Sequence, residues 1–292
     1  MNEKIANGEN PEHKSKKLIC FLTFFIIWLL FILNLWLFQS GYQEFLTAIA
    51  IIISGCSTLL FWLFRNKIKE LINKWEISPK AKFILVGSLC AIYIETVFWV
   101  VEKIAGFEGL AAHPNLLIDL LITMPWYVAM IILLWKVETK RKYSYLEILI
   151  LGGIYDFFAD GIIGSIFSGA FSPLILVLLV ILYPIFFVVY SFIVLIPSFL
   201  LENEIDLLRS EIDLGCIPNK WFLGLYPLLG LLILPVVFLI AIILIENLIL
   251  GLIVLILCVL IALCIFKKKS KKKKKILNLF IQKFFASSFL RH

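Results

Sequence analysis

The chain has 292 residues, 62% of them hydrophobic, with a mean hydropathy of +1.03 and a formal net charge of +7. Soluble domains are about 45–50% apolar, so these values exclude an ordinary soluble domain and predict an all-α, polytopic integral membrane bundle. The six cysteines form no CxxC and no Cys/His cluster, which gives no support for a zinc site or a disulfide framework.

The bilayer core is about 30 Å thick and a helix rises about 1.5 Å per residue, so a span needs about 20 apolar residues. By that measure the sequence predicts about eight transmembrane helices, at residues 18–38, 42–64, 83–107, 114–137, 145–167, 173–201, 221–245 and 247–266. Residues 1–17 form a polar N-terminal segment, residues 18–266 the bundle and residues 267–292 a tail. The start of the chain is too long and too acidic for a signal peptide, so the first span is expected to be retained. The sixth span contains Pro184 and Pro197, and the seventh contains Pro227 and Pro235.

Orientation follows the lysines and arginines. With the N-terminus inside, 26 of the 27 fall on the cytoplasmic side and only Lys103 falls outside. The alternation predicts cytoplasmic N- and C-termini, in what is expected to be the cell membrane.

The stretch 145–167 crosses the bilayer yet carries Asp156 and Asp160. Four residues apart, they share one helix face. An intramembrane carboxylate is costly and marks a functional site by default. Gly153 and Gly164 fall on the same stripe, where another helix could approach closely.

Glu95 in the third span and Asp156 in the fifth both lie about 16–18 Å from the cytoplasmic end. Glu102, Asp119 and Asp160 belong to the outer third. Glu95, Trp99 and Glu102 recur at helical spacing, as do Asp119, Thr123 and Trp126. The outer loop adds His113. The pattern predicts a pocket with Asp156, Asp160, Glu95 and Asp119 as its reactive groups. Trp99, Trp126, Thr123, Glu102 and His113 are its candidate binding residues. Plainer roles exist for several of these: Glu102 can pair with Lys103, His113 can cap the span that Pro114 opens, and the tryptophans can fill the core.

Between the sixth and seventh spans, residues 202–220 carry five acids against Arg209 and Lys220. Ile205, Leu208 and Ile212 suggest a short amphipathic helix there, the alternative being a solvated connector. In the tail, eight lysines within nine residues precede an apolar helical face. That pattern predicts contact with anionic lipids of the inner leaflet. No recognition module accompanies it, so nucleic acid is not an expected partner.

Asp156 and Asp160 form a DxxxD without the second Asp-rich loop motif an intramembrane prenyltransferase needs. HExxH and GxSxG are absent. No family is assigned, and cofactor and metal are unspecified. Three functions fit: an enzyme using acid–base chemistry on a lipid or isoprenoid, a proton- or cation-coupled transporter, and a non-catalytic scaffold. The first is preferred because buried acids can donate protons and aromatic faces stabilise cations.

Overall fold

The computed structural model describes residues 42–106, 111–167, 183–210 and 219–233, with isolated positions among residues 20–34, at 109 and among residues 169–177. These belong to one unit, Met1–Leu234. A second unit, Pro235–His292, lies outside the described residues, and with it the eighth span and the tail. Most of the first span and much of the seventh lie outside them too.

Every regular element among the described residues is helical. Helix α1 is Tyr42–Leu63, α2 is Arg65–Asn73, α3 is Pro79–Ala105 and α4 is Leu116–Glu138. Helix α5, Tyr145–Asp156, runs into a π-helical segment, Phe157–Ile163, and a last α turn, α6, Gly164–Phe167. Helix α7 is Tyr183–Leu200, α8 is Glu202–Ser210 and α9 is Lys220–Gly224, followed by a 3-10 segment, Tyr226–Ile233. Residues Phe45–Leu63, Pro79–Ala105 and Leu116–Glu138 are long and apolar enough to cross a membrane. The bent pair of α7 and α8, which turns by 66°, gives a fourth if it is one span. This is the coarse architecture of a membrane protein.

Local chemistry sets the helix ends. Ser78 accepts from the Ala81 N–H with Pro79 in the first turn, so α3 begins before the apolar run does. It stops at Gly106, whose φ of 66° is the left-handed C-terminal conformation. Asn115 caps α4 through the Leu117 and Ile118 N–H groups. Ser144 and Glu147 form a reciprocal capping box at the start of α5. Residues 65–82, between the second and third expected spans, are partly helical, as α2.

Helix α7 is hydrophobic on all sides, and such a helix belongs in the middle of a bundle. It packs on α1, α3 and α5, with a smaller contact to α4. Tyr190, Phe192, Ile193, Val194 and Phe199 are fully enclosed. The contact with α5 is close because α5 presents Gly152 and Gly153. A Cβ on Gly153 would stand 2.0 Å from Phe187 Cδ1, and one on Gly152 2.8 Å from Val194 Cγ2. Among the described residues, a Cβ on Gly164 would meet the Ala159 carbonyl alone, at 3.8 Å. Among them, the close approach is therefore made at Gly153 and its neighbour.

Helix α8 is docked rather than freely solvated. Its Ile205 is buried and Leu208 partly so. Arg209 donates to the Glu138 carbonyl at 2.8 and 3.0 Å and pairs with Asp206. Tyr145 donates to Glu202 at 2.6 Å. Nearby, Tyr143 donates to the Lys220 carbonyl at 2.6 Å. Burial, with Glu147 beside it, pushes the Tyr143 hydroxyl up to about 12, so it remains a donor.

Candidate functional site

A cavity of about 270 Å³ opens among α1, α3, α4, the α5–π segment and α7. Its polar lining is Glu95, Asp156, Asp160, Tyr127, Thr123 and Thr47, and its apolar lining includes Phe98, Ile185 and Phe186. Asp156 is buried, 1% exposed, whereas Asp160, which lines the same cavity, is exposed.

Glu95 is fixed by a hydrogen bond of 2.5 Å from the Tyr127 hydroxyl. Its carboxyl is in side-chain contact with that of Asp119 and within electrostatic range of Asp160. Asp156 and Asp160 are likewise in side-chain contact, and Asp160 reaches the Tyr190 hydroxyl. Tyr190 accepts from Trp126 Nε1 at 2.9 Å and lies with its ring 5.5 Å from that of Tyr127. The four acids thus lie close together around two tyrosines. Two buried oxygens, Asp156 Oδ2 and Asp119 Oδ2, have no hydrogen-bond partner among the described residues. Such an atom is costly unless a proton, water or ligand satisfies it.

The π segment begins one residue after Asp156 and includes Asp160. Single π turns inside α-helices are frequent at functional sites. The sequence predicts a continuous α-helix here, and hydrophobic spacing alone does not signal the wider turn.

The candidate binding residues divide. Thr123 lines the cavity, its hydroxyl donating to the Asp119 carbonyl at 3.0 Å. Trp126 stands one layer behind, holding Tyr190. The others are engaged by the outer loop. Glu102 accepts from the Gly109 and Ala111 N–H groups at 3.1 and 3.0 Å, with Lys103 at 3.8 Å. Trp99 donates to the Pro114 carbonyl at 2.9 Å. His113 accepts from the Asn115 N–H at 3.0 Å through Nδ1, and its own N–H donates to Asp119 Oδ1 at 3.1 Å. Trp99, Glu102 and His113 do not line the cavity, and their contacts position the loop above Asp119.

Tyr127 and Tyr190 were not expected at the site. Tyr127 lies eight residues after Asp119 and four after Thr123, so the stripe that named Thr123 also contains it. Tyr190 gave no such signal, because an all-apolar helix has no distinguishable face.

Among the described residues, no group of three or more His, Cys, Asp or Glu side chains stands close enough to hold a metal ion. Compared with known protein families, curated proteins and solved structures, the chain matches none.

Proposed function

We propose that this is a membrane-embedded enzyme using acid–base chemistry on a lipid or isoprenoid substrate. Asp156, Asp160 and Glu95 are its reacting groups, and Asp119 tunes Glu95. The observation that carries the reading is the unpartnered Asp156 Oδ2 beside a cavity whose remaining wall is largely apolar. A polar group of the substrate would satisfy that oxygen, and its hydrocarbon would lie against Phe98, Ile185 and Phe186. That Asp160 both lines the cavity and is exposed supports entry at that level. Reconstitution into vesicles of total membrane lipid tests this. The protein is expected to convert one lipid species. An unchanged lipid profile accompanied by proton or cation movement would favour the transporter instead, for which the connected acids are the supporting feature.

The proposed setting is eight spans with both termini cytoplasmic, supported by the distribution of lysine and arginine. In a cysteine-free background, a single cysteine at Ser168 should react with a membrane-impermeant thiol reagent from outside, and one at Ser144 should not. The reverse pattern would invert the orientation. The tail is proposed to rest on anionic lipid, each lysine contributing about 1 kcal/mol near such a surface. A peptide of residues 267–292 should bind anionic vesicles far better than neutral ones, and less in high salt. Equal binding to both would leave only its apolar face as the anchor.

A further inference from the structure

A second cavity, of about 430 Å³, lies among α1, α2, α3 and α7, away from the acids. Its lining is almost wholly apolar, with Leu60 from α1, Ile68, Leu71 and Ile72 from α2, and Leu89 and Cys90 from α3. The polar atoms in the groove, the hydroxyls of Ser57 and Tyr93, are bonded to each other at 2.6 Å. They ask nothing of a ligand. The mouth is ringed by exposed apolar side chains, among them Leu60, Leu71 and Leu89, at 53%, 59% and 51%. The floor reaches buried Cys90 and Ile72.

An ordinary lipid-facing helix surface needs no explanation in a membrane protein. A concave apolar space of this size does. Left empty it forfeits dispersion contacts on all its walls, and water gains little from an apolar cavity. In a bilayer the apolar filler at hand is an acyl chain.

The rim says which lipid. On α2, Ile68, Leu71 and Ile72 line the groove, with Leu71 at its mouth. Lys67 stands one helical turn before Leu71, and Lys74 follows it in the turn that ends the helix. Both lysines are exposed. Residues 65–82 carry six cations against Glu70 and Glu76, so the segment is net positive. We infer that the groove between α1, α2, α3 and α7 holds one acyl chain of an anionic phospholipid whose headgroup rests between Lys67 and Lys74.

The test uses the full-length purified protein in vesicles. A phosphatidylglycerol probe with a photoactivatable diazirine on one acyl chain is compared with a phosphatidylcholine probe bearing the same chain, and adducts are mapped by mass spectrometry. Adducts should concentrate in residues 57–75 and 86–93 and be competed by unlabelled phosphatidylglycerol. That probe should be favoured by about tenfold, since each lysine near an anionic headgroup contributes roughly a fivefold preference before screening. Lys67→Gln with Lys74→Gln should equalise the two probes. Cys90→Phe, which fills the floor, should remove the adducts, and Leu71→Trp at the exposed mouth should do so if the buried change prevents folding. Adducts spread evenly over lipid-facing helices, adducts confined to the tail, or labelling unchanged in Leu71→Trp would each overturn the inference. Equal labelling of the native protein by both probes would overturn its headgroup half.

Discussion

Asp156→Asn is expected to reduce lipid conversion by about 10²–10⁴-fold, the range that a positioned acid or base contributes, while leaving folding and membrane insertion intact. The side chain keeps its shape and loses its transferable proton. It lines the cavity beside Asp160, with one oxygen that no other described group satisfies. Asp160→Asn should have a similar effect, because the two carboxyls are in contact and Asp160 reaches the Tyr190 hydroxyl. The double substitution should cost little more than either single one, as expected of groups acting as a unit. Conversion assays on detergent-purified, reconstituted protein would read all three. Full activity in Asp156→Asn would remove this acid from the chemistry.

The largest effect on stability is expected at Gly153. Alanine is normally the better helix residue by about 1 kcal/mol, so a Gly→Ala change in an unhindered helix should stabilise. At Gly153 the added Cβ would meet Phe187 Cδ1 at 2.0 Å and Cε1 at 2.6 Å. Phe187 is packed into the bundle, with its ring 5.8 Å from that of Phe24. Overpacking of this kind costs about 1–3 kcal/mol and sometimes more. Thermal unfolding in detergent should show Gly153→Ala clearly destabilised and Gly164→Ala unchanged or improved. Adding Phe187→Leu should recover part of the loss. Equal unfolding temperatures for Gly153→Ala and Gly164→Ala would mean that α5 and α7 do not meet as described.

The grouping of Glu95 with Asp156 is legible in the sequence because a helix has a fixed rise. Counting inward from charged ends places both at similar depths, and hydrocarbon leaves a buried acid few places to face. Identifying their true neighbours is another matter. Depth matching suggests that the third, fourth and fifth spans pack side by side. In the structure α3 packs on α4, but α5 packs chiefly on α7, and the acids meet across the cavity beside it. Nothing in YPIFFVVYSFIVLIPSFL singles out Tyr190, since every face of that helix is apolar. The contacts of Glu102 and His113 are hidden in the sequence for a different reason. Their partners are backbone N–H groups of a loop, and a loop's conformation has no periodicity to read. The π segment is equally silent, because Asp156 and Asp160 are four residues apart whether the helix is α or π.

The measurement that bears most directly on the central claim is mass spectrometry of the lipids retained by purified wild-type and Asp156→Asn protein. If the carboxylate cavity performs chemistry on a lipid, the variant should hold a defined species near one per chain, because binding persists while turnover stops. The wild-type protein should hold less of that species, or its converted form. Identical retained lipids in both proteins, matching the bulk membrane composition, would contradict the claim.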